Sequence, residues 1–370
     1  MRHEWFKKQK LKEKPKKVNN IYESKKDLNI DNTNEKIEEN IEMNNKKLTV
    51  AIDAGKGYTK YFYMKDVELK KKDGSTIVKP KGFYDIDKST VIIGQKAVTG
   101  STVYIDGVAH DFNGTKKVVE LDDKTKNNQE HKSLMQKTLF EIAKKEKVTN
   151  FDVIMCTSLD QYKLEQNVED MQKEMNVGTF TVKDDSEEIT ITVDKLIIEP
   201  ESIVSTRYSN TKLKEVLAVL VDIGTLNVGL VPLNMGRLSK DAITAPRIGY
   251  DHMINLLKEY TDSKGANYSK EMLEVYVDKK QGTMEKLDIL FKEFFVNEYA
   301  NKIIKKEIDA KGFGEFANLI FMGGTSIKCK ALIEEAFSDY ENVEIIDDIY
   351  ATVKGAYLKG LKDLEKLEQI

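Results

Sequence analysis

Cysteine is nearly absent from this sequence. Two residues in 370, Cys156 and Cys329, provide neither a disulfide framework nor a cysteine-rich metal site. Both stand in apolar, strand-like runs, where a thiol reads as a small buried hydrophobe in a reducing compartment. Histidine is scarce too, and the four residues share no ligand spacing, which argues against zinc. An excess of one charge is also missing. Against 59 Lys and Arg stand 62 Asp and Glu, a net charge of −3, so the molecule as a whole is no bulk nucleic-acid binder. No long hydrophobic run exists either. The best, Val216 to Leu233, is broken by Asp222, Gly224, Asn227 and Gly229 and does not read as a membrane span. The N-terminus is basic but lacks the apolar core of a signal peptide, so the cytoplasm is the expected location and no membrane partner is expected.

What remains is a soluble composition, 40% hydrophobic and 33% charged, in a chain long enough for two domains or one bilobed unit. Residues 1–47 stand apart. Positions 1–17 hold eight Lys or Arg against two Glu, and positions 18–47 are rich in Asn, Glu and Lys. Such a segment buries too little apolar surface to fold alone and reads as a disordered charged tail; Trp5 and Phe6 are its only hint of a docking segment.

From Lys47 the pattern turns to strands. Leu48–Ala54 and Lys60–Lys65 read as a hairpin, and residues 66–127 as a small, mostly β insertion with pieces at Ser75–Val78, Thr90–Ile93, Thr102–Ile105 and Lys117–Leu121. Asp73-Gly74, Asp106-Gly107 and Asn113-Gly114 punctuate it. Helical spacing covers 131–147. Phe151–Thr157 reads as a buried central strand, followed by a helix over about 161–175, a hairpin of Thr179–Val182 with Ile189–Val193, and a strand Lys195–Ile198. A helix is expected to begin near Pro200. Glu215–Asp222 and Val228–Leu233 form another hairpin, with Arg237–Ala245 as its third strand, and Asp251 is placed to cap a helix reaching Tyr260. Residues 284–308 read as one amphipathic helix whose Phe-rich face is core. Asn318–Met322 is a buried strand leading into Gly323-Gly324 and a helix, and the chain closes with a short strand Val343–Ile346 and a helix from about Tyr350.

Two stretches share one plan. In Val50–Lys60 and in Val219–Val228 an apolar strand ends in an Asp, a glycine turn reverses it, and a second strand returns. An internal duplication explains this better than coincidence. Each turn exposes backbone N–H groups for an anion, because glycine lets the chain come close. Two such hairpins facing each other could clamp a triphosphate between two lobes, since phosphoryl transfer is mostly positioning and electrostatic stabilisation. Asp53 and Asp222 would hold a hydrated Mg²⁺ through water. Lys60 adds a positive charge, whereas Lys56 also suits a solvated turn.

Four pieces in order resemble the bacterial plasmid-segregation actins, the ParM (StbA) and Alp-type ATPases. Asp53-Ala-Gly55-Lys56-Gly57-Tyr58-Thr59-Lys60 is similar to the first phosphate loop, and Pro200-Glu201-Ser202-Ile203 to the connecting motif. Asp222-Ile-Gly224-Thr225-Leu226-Asn227 is similar to the second phosphate loop, and Gly323-Gly324-Thr325-Ser326 to the adenosine loop. Three departures are visible: Thr225 and Thr325 stand where glycine is frequent, and Val228-Gly229 replaces a common acidic residue. The resemblance covers residue 48 to about 360. It implies an α/β, actin-like fold of two duplicated lobes, each with a mixed five-stranded sheet flanked by helices, and a nucleotide between them. The first lobe would span 48–200, the second 201–336, and 337–370 would return to the first. It implies ATP, or GTP, with Mg²⁺ as ligands, and catalytic roles for Glu201, which would position the attacking water, and Asp222. It further implies head-to-tail filaments that segregate plasmid DNA through a ParR-type adaptor bound to a centromere-like site. The readings kept beside it are an MreB-like cytoskeletal filament, a small-molecule kinase on the same fold and, with less support, a chaperone-type ATPase.

Overall fold

The computed structural model describes residues 47–70, 75–97, 100–113, 126–279 and 284–367. The expected tail at 1–47, apart from Lys47, the strand at Lys117–Leu121 and the turn at Asp73-Gly74 lie outside the described residues, as does Gly114.

The first sheet grows outward from the Asp53 hairpin. Strand β1 (Leu48–Ala54) is almost wholly buried and pairs antiparallel with β2 (Tyr58–Lys70), which pairs with β3 (Thr76–Lys88). Three short strands follow, β4 (Ile92–Ile93), β5 (Val103–Ile105) and β6 (Val108–Asp111). Helix α1 (Gln129–Glu146) is capped by the Asn128 side chain, which accepts from the His131 amide, and it ends at Lys147 in the left-handed region. The central strand β7 (Asn150–Thr157) runs parallel to β1. After α2 (Leu159–Tyr162) and α3 (Glu165–Met175) come β8 (Thr179–Lys183) and β9 (Glu188–Pro200).

The second sheet repeats the plan. Strands β10 (Leu217–Ile223), β11 (Val228–Asn234) and β12 (Arg237–Leu238) form an antiparallel set, and helices α4 (Tyr250–Ser263) and α5 (Lys270–Lys279) follow. Helix α6 (Glu285–Phe294) widens into a π-helical stretch, Phe295–Ile304, and tightens again as α7 (Lys305–Asp309). The buried β13 (Asn318–Met322) precedes α8 (Gly324–Lys328), α9 (Lys330–Ala336), β14 (Asn342–Ile345) and α10 (Ala351–Leu367).

The strand orders make the duplication explicit. The first sheet reads β3-β2-β1-β7-β9-β8-β5-β6-β4 and the second β12-β11-β10-β13-β14. In each, three antiparallel strands join two parallel ones in the same order. The first sheet therefore contains the expected five strands and extends to nine. The region read as an insertion is no separate unit: β2 and β3 lengthen the sheet's own hairpin, while β4, β5 and β6 join it through β8.

Helices cover both faces of both sheets. One face of the first sheet packs on α1 and α3 through Leu139, Phe151 and Met171, and the other packs on α10 through Ile154, Val353 and Ala356. The second sheet buries Val221, Phe294, Tyr299 and Phe321 against the helices from α4 to α9, and Leu220 and Ile320 face Leu159, Ile346 and Ala351. Within 337–370, the segment expected to return to the first lobe, β14 belongs to the second sheet and α10 packs on the first.

Several local expectations need correction. Ile189–Val193 and Lys195–Ile198 are one strand, β9, because the extra residue Asp194 is absorbed as a bulge against β7. That strand carries Pro200 itself, so no α-helix begins there. A tight turn holds Ser202 at φ 62° and passes into a 3-10 turn, Val204–Tyr208. Arg237–Ala245 is a strand only over its first two residues, with a single later bridge from Leu230 to Thr244.

Candidate active site

The C-terminal ends of β1 and β10 bring Asp53 and Asp222 to one cleft of about 330 Å³ between the two sheets. Both hairpins turn the same way: the Gly55 amide donates to the Tyr58 carbonyl at 3.1 Å, and the Gly224 amide to the Asn227 carbonyl at 3.0 Å. The turns differ in what stands opposite the acid. Lys60 is the cross-strand partner of Asp53, whereas Gly229 is the partner of Asp222.

Asp53 lies among ammonium groups. Lys126 Nζ is 2.7 Å from its Oδ1, and Lys60 Nζ is 3.8 Å from its Oδ2. Burial pushes the Asp53 carboxyl up, but Lys126 and then Lys60 outweigh it and hold the group below its ordinary value. Among the described residues, no ammonium is in contact with Asp222. Burial pushes its carboxyl up against the 2.6 Å hydrogen bond that Ser202 Oγ donates to Oδ2. Glu201 is likewise pushed up by burial, opposed by Lys126, whose Nζ sits 2.6 Å from Oε2. Lys126 is 3% exposed. Burial lowers its basicity, but Asp53 and Glu201 outweigh that and keep the ammonium charged.

Backbone geometry fixes the loops. The first amides of α4 donate to carbonyls of the second turn: Gly249 to Leu226, Tyr250 to Gly224 and Asp251 to Thr225, at 2.8–2.9 Å. Gly249, not Asp251, is the N-cap, and no side chain caps this helix. A Cβ on Gly249 would fall 2.6 Å from the Gly224 carbonyl, so the close docking of helix and loop needs glycine here. A Cβ on Gly57 would overlap the Thr225 hydroxyl. Thr225, one of the departures from the resembled pattern, thus fills space that Gly57 leaves open across the cleft. Gly323, at φ 90°, lies against Asp222, where a Cβ would be 2.6 Å from Oδ1.

Of the residues singled out in the sequence, Asp53, Gly55, Lys56, Gly57, Tyr58 and Lys60 line the cleft with Glu201, Asp222, Gly224, Thr225, Leu226, Asn227, Gly323, Gly324 and Thr325. Thr59 and Ser326 do not. Thr59 is buried with its Oγ1 2.8 Å from Ser89 Oγ, and Ser326 Oγ bonds back to the Met322 carbonyl at 2.6 Å. Alternation along β2 accounts for Thr59: Tyr58 and Lys60 face the cleft, so the residue between them faces away.

Sequence reasoning missed Lys126 and a polar group at the other end of the cleft. There Lys328 Nζ is 2.6 Å from Asp278 Oδ1, which also accepts from the Tyr250 hydroxyl at 3.0 Å, and Glu274 lines the same wall. Lys126 carried no local signal, because it ends a lysine-rich run of ordinary surface composition. Asn227 is informative in another way. Its buried Oδ1 has no hydrogen-bond partner among the described residues although the residue lines the cleft, as expected of a site shaped for a polar ligand.

No protein-family model matches this chain, nor does any curated protein. Solved structures do. The archaeal actin homologue Ta0583 in complex with ADP superposes with a TM-score of 0.56 at 16% identity, over 85% of this chain and 99% of that one. The Alp12 filament structure gives 0.58 at 21% identity over 86% and 99%. Apo psk41 ParM gives 0.58 at 15% identity over 87% and 99%. Across almost the whole length of these proteins, the fold of this chain is the fold of the actin-like ATPases.

Proposed function

We propose that this chain is a nucleotide-dependent, polymerising actin-like ATPase whose filaments segregate plasmid DNA through an adaptor protein. The observation that carries the reading is the convergence of Asp53, Glu201 and Asp222 with two duplicated glycine turns on one cleft. The ADP complex of the archaeal homologue and the filament formed by Alp12 support nucleotide binding and self-assembly as its two halves.

The roles follow from the chemistry of the groups. Amides of Lys56–Tyr58 and Thr225–Asn227, with Lys60, would bind the phosphates, while the Gly55 and Gly224 amides close the two turns. Gly323 and Gly324 would let the nucleoside lie against the backbone. Burial leaves Asp222 and Glu201 reluctant to ionise, so a nearby divalent cation would relieve both. The donor set therefore fits a hydrated Mg²⁺ held through water by Asp222 and Asp53. When bound, the metal supplies neutralisation of phosphate charge. Glu201 would orient a water, and the two lobes would close around the ligand to exclude the rest. On this reading the first lobe spans 48–200, the second 201–336, and the end of the chain returns to the first. The near-neutral net charge suits a protein that meets DNA only through an adaptor of the ParR type.

Light scattering and sedimentation with Mg-ATP, Mg-GTP and a non-hydrolysable analogue test the reading. Nucleotide-dependent pelleting followed by phosphate release is expected, with loss of turnover in Asp222→Ala. If the protein binds ATP and stays monomeric at about tens of micromolar, a range where weak association becomes visible, the filament reading falls. A kinase acting on a hydroxyl substrate is then the alternative to screen.

A further inference from the structure

Lys126 is, among the described residues, the most deeply buried charged side chain lining the cleft, and it contacts two of the cleft's carboxylates. Its Nζ lies 2.7 Å from Asp53 Oδ1 and 2.6 Å from Glu201 Oε2. Its backbone is fixed as well: the Lys126 amide donates to Gln161 Oε1 at 2.7 Å, and Gln161 is held by Ser158 and Thr157 at the end of β7. The ammonium therefore enters the cleft from a fixed base, on the side of the first lobe. Glu201 follows the end of β9 and is anchored at the same end of β7, where its amide donates to the Thr157 carbonyl at 3.0 Å.

This arrangement sets a chemical conflict. A carboxylate that orients a water must offer its lone pairs to that water, and here one oxygen of Glu201 is taken by an ammonium. A terminal phosphate is a stronger partner for that ammonium than one carboxylate, because it offers several anionic oxygens. We infer that Lys126 is a phosphate-sensing positioning residue: without a terminal phosphate beside it, it clamps Glu201 and Asp53 together, and a terminal phosphate draws it away and frees Glu201. Glu201 is then held back unless a triphosphate is present. ADP, lacking that phosphate, leaves the clamp in place. The inference rests on the proposed nucleotide site and adds to it a means of telling the triphosphate from its product.

Equilibrium binding tests it without any turnover. Titrations with ADP and with a non-hydrolysable ATP analogue, both with Mg²⁺, are compared for wild type, Lys126→Met, Glu201→Gln and the double variant, by calorimetry or a fluorescent nucleotide. Lys126→Met is expected to weaken the triphosphate analogue by about tenfold or more, as for a lost charge-assisted hydrogen bond, and ADP by less than about threefold. Glu201→Gln removes the competitor for the ammonium, so it is expected to tighten the analogue several-fold and to leave ADP unchanged. In the Lys126→Met background that tightening is expected to vanish. Equal weakening of both nucleotides, or tightening by Glu201→Gln that survives without Lys126, overturns the inference and leaves Lys126 a structural ion pair. Lys126→Arg keeps the charge if the Met variant unfolds, and it is expected to retain the preference for the triphosphate; loss of that preference in a folded Arg variant also counts against the inference. Failure of wild type to bind either nucleotide overturns the proposed site itself, an outcome distinct from both.

Discussion

Asp53 and Asp222 are the same residue of a duplicated plan in two electrostatic settings. Lys60 faces Asp53 across the hairpin and Lys126 lies 2.7 Å from its Oδ1, so burial is offset. Gly229 faces Asp222 and leaves it with a serine hydroxyl. The glycine serves a steric purpose: a Cβ there would fall 2.6 Å from Leu159, at the junction of the two halves. Gly323 shows the same tension. Its φ of 90° is costly for any other residue, and a Cβ would press on Asp222. Gly323→Ala is expected to cost about 1–3 kcal/mol of stability, and to weaken nucleotide binding more than it weakens the fold elsewhere. Urea unfolding with and without nucleotide separates the two effects; equal midpoints for variant and wild type would contradict it. These acids and glycines were legible in the sequence because they end apolar strands. Lys126 was not, because burial of one lysine among many is decided by tertiary contacts alone. Thr59 and Ser326 were misplaced because a motif names a stretch of chain, whereas the pleat and the helix decide which side chains turn inward.

The elements that deliver these residues are held by few, close contacts. Helix α10 lies against the 3-10 turn through Gly355 and against the first sheet through Gly360: a Cβ on Gly355 would overlap the Val204 carbonyl, and one on Gly360 would fall 2.6 Å from Ile154. Further along, Glu199 of β9 is buried against Lys359 and Asp363 of α10, with Lys359 Nζ 3.3 Å from its Oε1. Burial pushes the Glu199 carboxyl up, Lys359 opposes this and Asp363 adds to it, and the group titrates at about 7 against an ordinary 4.5. The folded state thus keeps a proton that the unfolded chain has released between those values. Stability is expected to fall as pH rises from about 4.5 to 7, and to level off above. Glu199→Gln mimics the protonated form and is expected to remove that decline. The gain at pH 8 is expected to be about 1–2 kcal/mol, less than the whole shift because Lys359 and Asp363 reach solvent. Parallel curves of unfolding midpoint against pH for the two proteins would contradict this. At this scale the sequence showed each strand that carries a site acid, since long apolar runs announce buried strands. It misread the join after Pro200, where sheet pairing to β7 overrides the preference of proline for a helix start, and it could not show that the β pieces of 66–127 lengthen an existing sheet.

At the scale of the molecule, the two halves meet through the cleft itself. Ser202 bonds Asp222, Thr225 packs on Gly57, and burial makes Asp222 and Glu201 costly to ionise, an effect that Lys126 and Lys60 offset only in part. A ligand that binds the folded cleft alone must therefore stabilise the whole chain. Mg-nucleotide at about a hundred times its Kd is expected to add about 2.7 kcal/mol, which for a chain of this length is a rise of a few degrees in the unfolding midpoint. The measurement is a thermal scan below the concentration at which scattering begins, so that assembly does not contribute. The same scan on Asp222→Asn carries the sharper expectation. Removing a charge that burial penalises more than Ser202, Lys60 and Lys126 offset raises the midpoint of the ligand-free protein, and it abolishes much of the further rise with Mg-nucleotide. A variant less stable than wild type without ligand, yet stabilised as fully by Mg-nucleotide, would mean that Asp222 supports the fold and not the ligand. The opposed signs of the two effects are what distinguish a residue kept for its chemistry from one kept for its packing.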